Sequence, residues 1–160
     1  MKNNQALKKT TLCLLLKNGQ ILLAMKKRGF GIGKWNGYGG KLKDGETLEQ
    51  AALREMEEEI GITSKLSDLN KVATLRFYFK TTPEWDQEVN IFVIYNWIGE
   101  PAESEEMRPA WFSFGDIPYK NMWPDDAHWL PKVLAGKKLD GDFYFNDDAS
   151  GFEKFELKEI

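Results

Sequence analysis

The apolar residues of this chain fall into short runs separated by turn residues. Residues 10–17 and 21–27 are two such runs, joined by Lys17-Asn18-Gly19-Gln20. Asn-Gly supplies the positive φ angles of a type I′ turn, so the pair predicts a β-hairpin. Residues 72–80 alternate: Leu75, Phe77 and Phe79 point one way and Arg76, Tyr78 and Lys80 the other, which is the period of a strand. Residues 89–98 are almost continuously apolar and predict a strand buried on both faces. Residues 111–114 predict a short strand, and residues 139–145 with 152–157 a closing hairpin.

Two segments read as helices. Leu48, Ala52, Met56 and Ile60 recur at i+4 as one apolar stripe. Thr47 is a good N-cap, Thr47-Leu48-Glu49-Gln50 has the form of a capping box, and Gly61 suits the position that ends the helix. Pro124-Asp125-Asp126 can open a second helix running to about Leu134, with Pro131 as a candidate break. Strands outnumber helices and come in hairpins. The expectation is a single α+β domain over residues 1–160, a mixed sheet sandwiched between helices in α/β/α layers.

Composition narrows the function classes. A length of 160 residues fits one domain. With 22 basic against 25 acidic residues and a net charge of -3, the chain lacks the polybasic footprint needed to grip long nucleic acid. The one cysteine, Cys13, excludes an internal disulfide and a cysteine-ligated zinc, and in its apolar strand it reads as buried and inert. His128 is the only histidine and has no second nitrogen or sulfur ligand nearby in sequence, so it reads as an ordinary helix or surface residue. No Ser-His or Cys-His set supports covalent acyl transfer. No apolar stretch approaches the roughly 18–20 residues that span a bilayer. The apolar run behind the basic start, residues 12–16, is shorter than the roughly 7–15 residues of a signal h-region. The expected location is the cytoplasm. Six Trp, ten Phe and five Tyr suit a large core or a pocket for a flat ring.

Candidate chemistry concentrates in residues 29–62. Glycines at 29, 31, 33, 37, 39, 40 and 45 mark irregular backbone that allows close approach of a ligand. The helix behind them carries Arg54-Glu55-Met56-Glu57-Glu58-Glu59. Residues three and four apart share a helix face, so Glu55, Glu58 and Glu59 point together and Glu57 turns toward solvent. Like charges on one face repel, and a hard divalent cation that prefers oxygen ligands reverses that repulsion. Taken alone, such a run is more often a solvated face.

The surrounding frame decides between those readings. Gly40, Glu46, Arg54-Glu55, apolar Met56, Glu58-Glu59, Gly61 and apolar Ile62 stand at the spacing of the Nudix box, over residues 40–62, with no fixed position missing. The chain therefore resembles the Nudix hydrolases. The resemblance implies the Nudix fold and Mg²⁺-dependent hydrolysis of a nucleoside diphosphate linked to another moiety, with Mn²⁺ able to substitute. It implies Glu55, Glu58 and Glu59 as metal ligands, with one of them, Glu59 before Glu58 or Glu55, assisting proton removal from water. It also implies that the backbone of Gly39 and Gly40 lies beside metal and phosphates, with Glu46 and Arg54 as supports.

Further stretches outside the box resemble the animal MutT homologues, a branch of that family acting on oxidised purine nucleoside triphosphates. These are Met25-Lys26-Lys27-Arg28-Gly29-Phe30-Gly31, Lys34-Trp35-Asn36-Gly37-Tyr38-Gly39-Gly40-Lys41, Glu105-Glu106-Met107-Arg108-Pro109 and Met122-Trp123-Pro124-Asp125-Asp126. The resemblance implies Asn36 as a base-reading amide, Asp125 and Asp126 as a carboxylate pair at the purine edge, and Trp123 as a ring stacked on the base. Phe30, Phe77 and Phe79 would wall the pocket, Thr11 and Lys26 would lie on the sugar and phosphate side, Lys41 would also bind substrate, and Glu106 would lie near the metals, although Glu103 and Glu105 leave its register open. The substrates implied are 8-oxo-dGTP and 2-hydroxy-dATP, cut to monophosphate and pyrophosphate, by a monomer with no membrane or long nucleic-acid partner. By itself Trp-Pro-Asp-Asp is also a plain helix start, with proline in the first turn and carboxylates at the positive dipole end. A Nudix enzyme for ADP-ribose or dinucleoside polyphosphates, and a non-catalytic module binding a modified nucleotide, are the other readings. Residues 81–87 depart from the family pattern and can edge the pocket.

Overall fold

Asn18 and Gly19 take φ angles of 52° and 72°, and the chain reverses there into the tight hairpin that Asn-Gly predicts. The computed structural model describes residues 7–147 and 150–160, so the first six residues of the basic start lie outside the described residues. The strands are β1 (Lys8–Lys17), β2 (Gln20–Lys26), β3 (Trp35–Asn36), β4 (Leu69–Phe79), β5 (Gln87–Ile94), β6 (Met107–Ser113), β7 (Leu139–Phe145) and β8 (Phe152–Glu159). The helices are α1 (Leu48–Ile60) and α2 (Asp126–Leu134), with short 3-10 turns between elements. The strands form one mixed sheet in the order β3-β2-β1-β5-β4-β7-β8, and β6 also pairs with β2. The β1–β5 and β4–β7 pairs are parallel, and the other pairs are antiparallel.

The sheet is covered on both faces because its strands alternate two apolar sets. From β1, Leu14 and Leu16 pack with Trp129, Leu130 and Val133 of α2 on one side. Cys13 and Leu15 pack with Ala52, Met56 and Ile60 of α1 on the other. One strand thus supplies both cores, as period-2 alternation requires. Helix α1 forms as its sequence indicates. Thr47 Oγ1 accepts from Gln50 N–H at 3.1 Å, Gln50 Oε1 accepts from Thr47 N–H at 2.9 Å, and Gly61 closes the helix at φ 73°. No described helix is long and apolar enough to cross a membrane.

Three boundaries differ from expectation. The apolar run 89–98 leaves the sheet after Ile94, the last residue with neighbours on both sides: Leu15 on β1 and Leu69 on β4. The short strand expected at 111–114 begins at Met107, because β6 is an edge strand on which Pro109 loses no needed hydrogen bond. Pro131 does not break α2, and Ala135 N–H still donates to Pro131 O at 3.1 Å on its far side.

Candidate active site

The glycine-rich segment after β3 lies flat on β1. Tyr38 and Cys13 exchange backbone hydrogen bonds, and Thr11 N–H donates to Gly40 O at 2.9 Å. This contact is too close for side chains. A Cβ on Gly39 would fall 1.7 Å from Thr11 O, and one on Gly40 would fall 2.6 Å from the Glu55 carboxylate. The loop backbone is therefore wedged between the sheet and the acidic face of α1.

Arg54 ties that helix to the loop. Its Nε and Nη2 donate to the two oxygens of Glu46 at 2.7 and 2.9 Å, the bidentate geometry favoured by guanidinium and carboxylate. Nη2 also donates to Lys41 O at 3.0 Å, and Nη1 to Glu55 at 2.9 Å and Glu58 at 3.3 Å. Hydrogen bonds from Arg54 and from Lys43 N–H hold the Glu46 carboxyl at about 2, well below its ordinary value.

Glu59 sits under the loop. It is only 4% exposed, Gly39 N–H donates to its Oε1 at 3.3 Å, and its Oε2 is buried without a hydrogen-bond partner. Burial, then contact with Glu55, pushes its pKa up to about 9, against the opposing pull of Lys26 and Gly39 N–H. Burial pushes the Cys13 thiol and Tyr38 phenol up as well, with the Glu59 charge adding to both. The structure thus brings Glu55 and Glu59 together. It leaves Glu58 half-exposed on Arg54 and Glu106 exposed on Arg28, 3.3 Å from its Nη2. Among the described residues no group of three acidic, His or Cys side chains is gathered at metal-holding distance. A buried carboxylate with an orphaned oxygen, touching a second carboxylate, nonetheless suits a hard divalent cation that takes oxygen ligands.

Beside this acidic floor opens a cavity of about 450 Å³. Its lining includes Thr11, Lys26, Phe30, Asn36, Gly39, Gly40, Lys41, Phe77, Phe79, Trp123, Asp125 and Asp126. Sequence reasoning did not place Trp85, Trp129 or Phe145 there, yet all three line it. Trp129 has a double role: it is buried in the α2 core, and its Nε1–H donates to Asp125 Oδ2 at 2.8 Å. The i, i+4 spacing from Asp125 to Trp129 was the signal for that pair.

Asp125 and Asp126 are both buried. Asp125 stands at the N-cap yet makes no side-chain cap hydrogen bond, and Asp126 is the acid of the first turn. Asp126 Oδ2 has no partner. Burial raises both acids, and Asp126 rises further because it also faces the charge of Asp125. Two such acids side by side and out of water resist ionising together.

The chain matches the NUDIX domain family over residues 7–133. It is 45% identical over 150 residues to a mouse protein named oxidized purine nucleoside triphosphate hydrolase, covering 94% of each chain. It is 50% identical over 135 residues to the zebrafish protein of the same name, covering 84% of this chain and 85% of that one. The fold is also that of the MutT protein of Bacillus halodurans, with a TM-score of 0.83 at 24% identity over 95% of this chain and 98% of that one. A match of this extent, on a chain whose glycine loop and acidic helix are built as described, makes the protein a member of the Nudix family.

Proposed function

We propose that this protein hydrolyses oxidised purine nucleoside triphosphates, 8-oxo-dGTP and 2-hydroxy-dATP among them, to the monophosphate and pyrophosphate with Mg²⁺. The observation that carries this reading is one cavity lined by an acid pair and, on another wall, by a glycine loop that rests on a second acid set. The adjacent Asp125–Asp126 pair lines it, and the Gly39–Gly40 backbone on its wall rests against Glu59 and Glu55. The names of the mouse and zebrafish relatives point the same way.

Aromatic walls hold a flat base, and the polar edge of the pocket reads its identity. Asn36 presents its amide to the cavity while its own Oδ1 accepts from Gly37 N–H at 2.8 Å, which fixes the orientation of the side chain. One donor and one acceptor at Asp125 and Asp126 complement a purine edge that carries both. Moving the shared proton between them lets the same pocket accept two differently oxidised purines. Lys26 and Lys41 put positive charge on the cavity wall, which suits a polyphosphate tail. Glu55 and Glu59, with Glu58 and Glu106 nearer the solvent, would hold the metal. A divalent cation bound there withdraws charge from the polyphosphate and makes the attacking water more acidic. Beside such a cation Glu59, whose Oε2 has no hydrogen-bond partner, would favour its ionised form, and so ionised it would accept a proton from the water. On this reading the enzyme acts as a monomer on a dissolved nucleotide in the cytoplasm.

The test compares hydrolysis of 8-oxo-dGTP, 2-hydroxy-dATP, dGTP and ADP-ribose with Mg²⁺, with Mn²⁺ and with a chelator, following pyrophosphate release. Metal-dependent turnover at least about tenfold faster on the oxidised purines than on dGTP is expected. Preference for ADP-ribose, or turnover indifferent to chelation, would overturn the reading.

A further inference from the structure

The loop between β4 and β5 is where the chain departs from its family's pattern, and it turns a tryptophan into the cavity. Pro83–Trp85 form one 3-10 turn. Asp86 Oδ1 accepts from Phe79 N–H at 2.7 Å, Lys8 Nζ donates to Glu84 O at 2.8 Å, and Gln87 Nε2 donates to Trp85 O at 3.3 Å. The turn is thus anchored to β4, β1 and β5, and its ring is presented at little further cost in order.

The indole of Trp85 lies edge-on to Phe79, with centroids 5.6 Å apart, and edge-on to Phe30 at 4.9 Å. Phe30 in turn stacks on Trp123 at 5.1 Å and 26°. Trp85 is 39% exposed and Phe30 47%, whereas Asp125 and Asp126 are buried. The aromatic chain from Trp85 through Phe30 to Trp123 therefore crosses the open end of the cavity, with the acid pair at its closed end. A lone exposed tryptophan needs no explanation. One that lines a cavity, is anchored from three strands and props a second cavity-lining ring does.

We propose that Trp85 is a specificity-determining residue, forming the outer aromatic wall against which the base of the nucleotide rests and holding Phe30 over Trp123. This rests on the reading of the cavity as a site for a purine nucleotide. The wall acts on the base and not on the phosphates, because the lysines and the glycine loop of the phosphate side belong to other elements. Stacking on aromatic side chains is sensitive to truncation, and the larger face of a purine makes it more so.

The test uses the full chain with Trp85→Ala and Trp85→Phe. Dissociation constants for 8-oxo-dGMP are measured by calorimetry, KM and kcat for 8-oxo-dGTP by pyrophosphate release, and inhibition constants for inorganic triphosphate, which lacks a base. Trp85→Ala should weaken 8-oxo-dGMP about tenfold and raise KM similarly, with kcat falling by less than about threefold. Inorganic triphosphate should inhibit within about twofold of wild type, and Trp85→Phe should recover most of the loss. Binding of 8-oxo-dGMP within about twofold of wild type in Trp85→Ala would overturn the proposal. So would an equal weakening of inorganic triphosphate, or a Trp85→Ala chain that no longer folds, since each makes the ring a structural residue. Wild-type protein that neither binds 8-oxo-dGMP nor cleaves 8-oxo-dGTP would sink the functional reading beneath it, an outcome distinct from unchanged binding in the variant.

Discussion

The indole N–H of Trp129 donates to Asp125 Oδ2 across 2.8 Å, and this bond biases which member of the buried acid pair carries the charge. A donor favours the ionised form of the carboxylate it reaches. Asp126 has no partner on Oδ2 and also faces the charge of Asp125, so although Trp129 favours its ionised form too, its pKa is raised the further of the two. The order of donor and acceptor along the cavity wall follows from that bias. Trp129→Phe removes the donor and keeps a ring in the core. It should shift the ratio of kcat/KM for 8-oxo-dGTP over 2-hydroxy-dATP by at least about threefold, and Asp125→Asn should shift it further. Steady-state kinetics on both nucleotides checks this. A ratio unchanged in both variants would refute the shared-proton account.

The same pair sets a pH dependence of stability. The folded pKa of Asp126 stands well above the roughly 3.9 of an unfolded aspartate, mainly through burial. Above pH 4 the folded chain retains a proton that the unfolded chain has released. Stability from this group is therefore full below about pH 4 and declines as pH rises toward the folded value. Asn at 126 has no proton to lose. Asp126→Asn should gain on wild type as pH rises from 4 to 8, reaching several degrees in melting temperature. Thermal melts across that range decide it, and two curves that stay parallel would count against the assignment.

Local signals in the sequence carried most of the scaffold. Asn18-Gly19 named its own turn, Thr47, Gln50 and Gly61 named both ends of α1, and the alternation at Leu75, Phe77 and Phe79 named the cavity face of β4. What the sequence hid was decided by partners distant along the chain. The run 89–98 ends as a strand at Ile94, where β4 begins at Leu69 and the pairing with β1 stops at Leu15, which no local pattern encodes. The four residues of β6 before Trp111 join the sheet only because β2 is there to pair with them. In the site, spacing placed Glu55, Glu58 and Glu59 on one helix face, but not the depth that buries Glu59 and leaves Glu58 on Arg54. Residues 81–87 were legible as an edge of the pocket, but not that Trp85 is the side chain that lines it.

Thr47 offers a test of the helix that carries the acids, away from the chemistry. Its hydroxyl satisfies Gln50 N–H, one of the donors that a helix start leaves unpaired. Thr47→Ala should cost about 1 kcal/mol, a drop of roughly 2–4 °C in melting temperature. Turnover at 25 °C should stay within about twofold of wild type, because the bonds from Arg54 hold Glu55 and the loop in register regardless of the cap. Denaturation with a parallel activity assay checks both halves.

Glu59 and the two glycines above it separate catalysis from folding. Glu59→Gln keeps the size of the buried side chain and removes its capacity to accept a proton. Its kcat should fall at least about thirtyfold with KM within about threefold, since general-base contributions commonly reach 10²–10⁴. Gly40→Ala brings a methyl group 2.6 Å from the Glu55 carboxylate, the end of a flexible side chain that can swing aside. That variant should fold with a melting temperature close to wild type and lose about tenfold or more in kcat as Glu55 is displaced from Glu59. Gly39→Ala meets backbone instead, 1.7 Å from Thr11 O, where nothing can yield without parting the loop from β1. It should fail as a folding defect, with low melting temperature and little soluble protein. Normal turnover in Gly40→Ala would show that Glu55 is not needed where the structure puts it, and a stable, active Gly39→Ala would deny the close packing of loop on strand that forms the floor of the cavity.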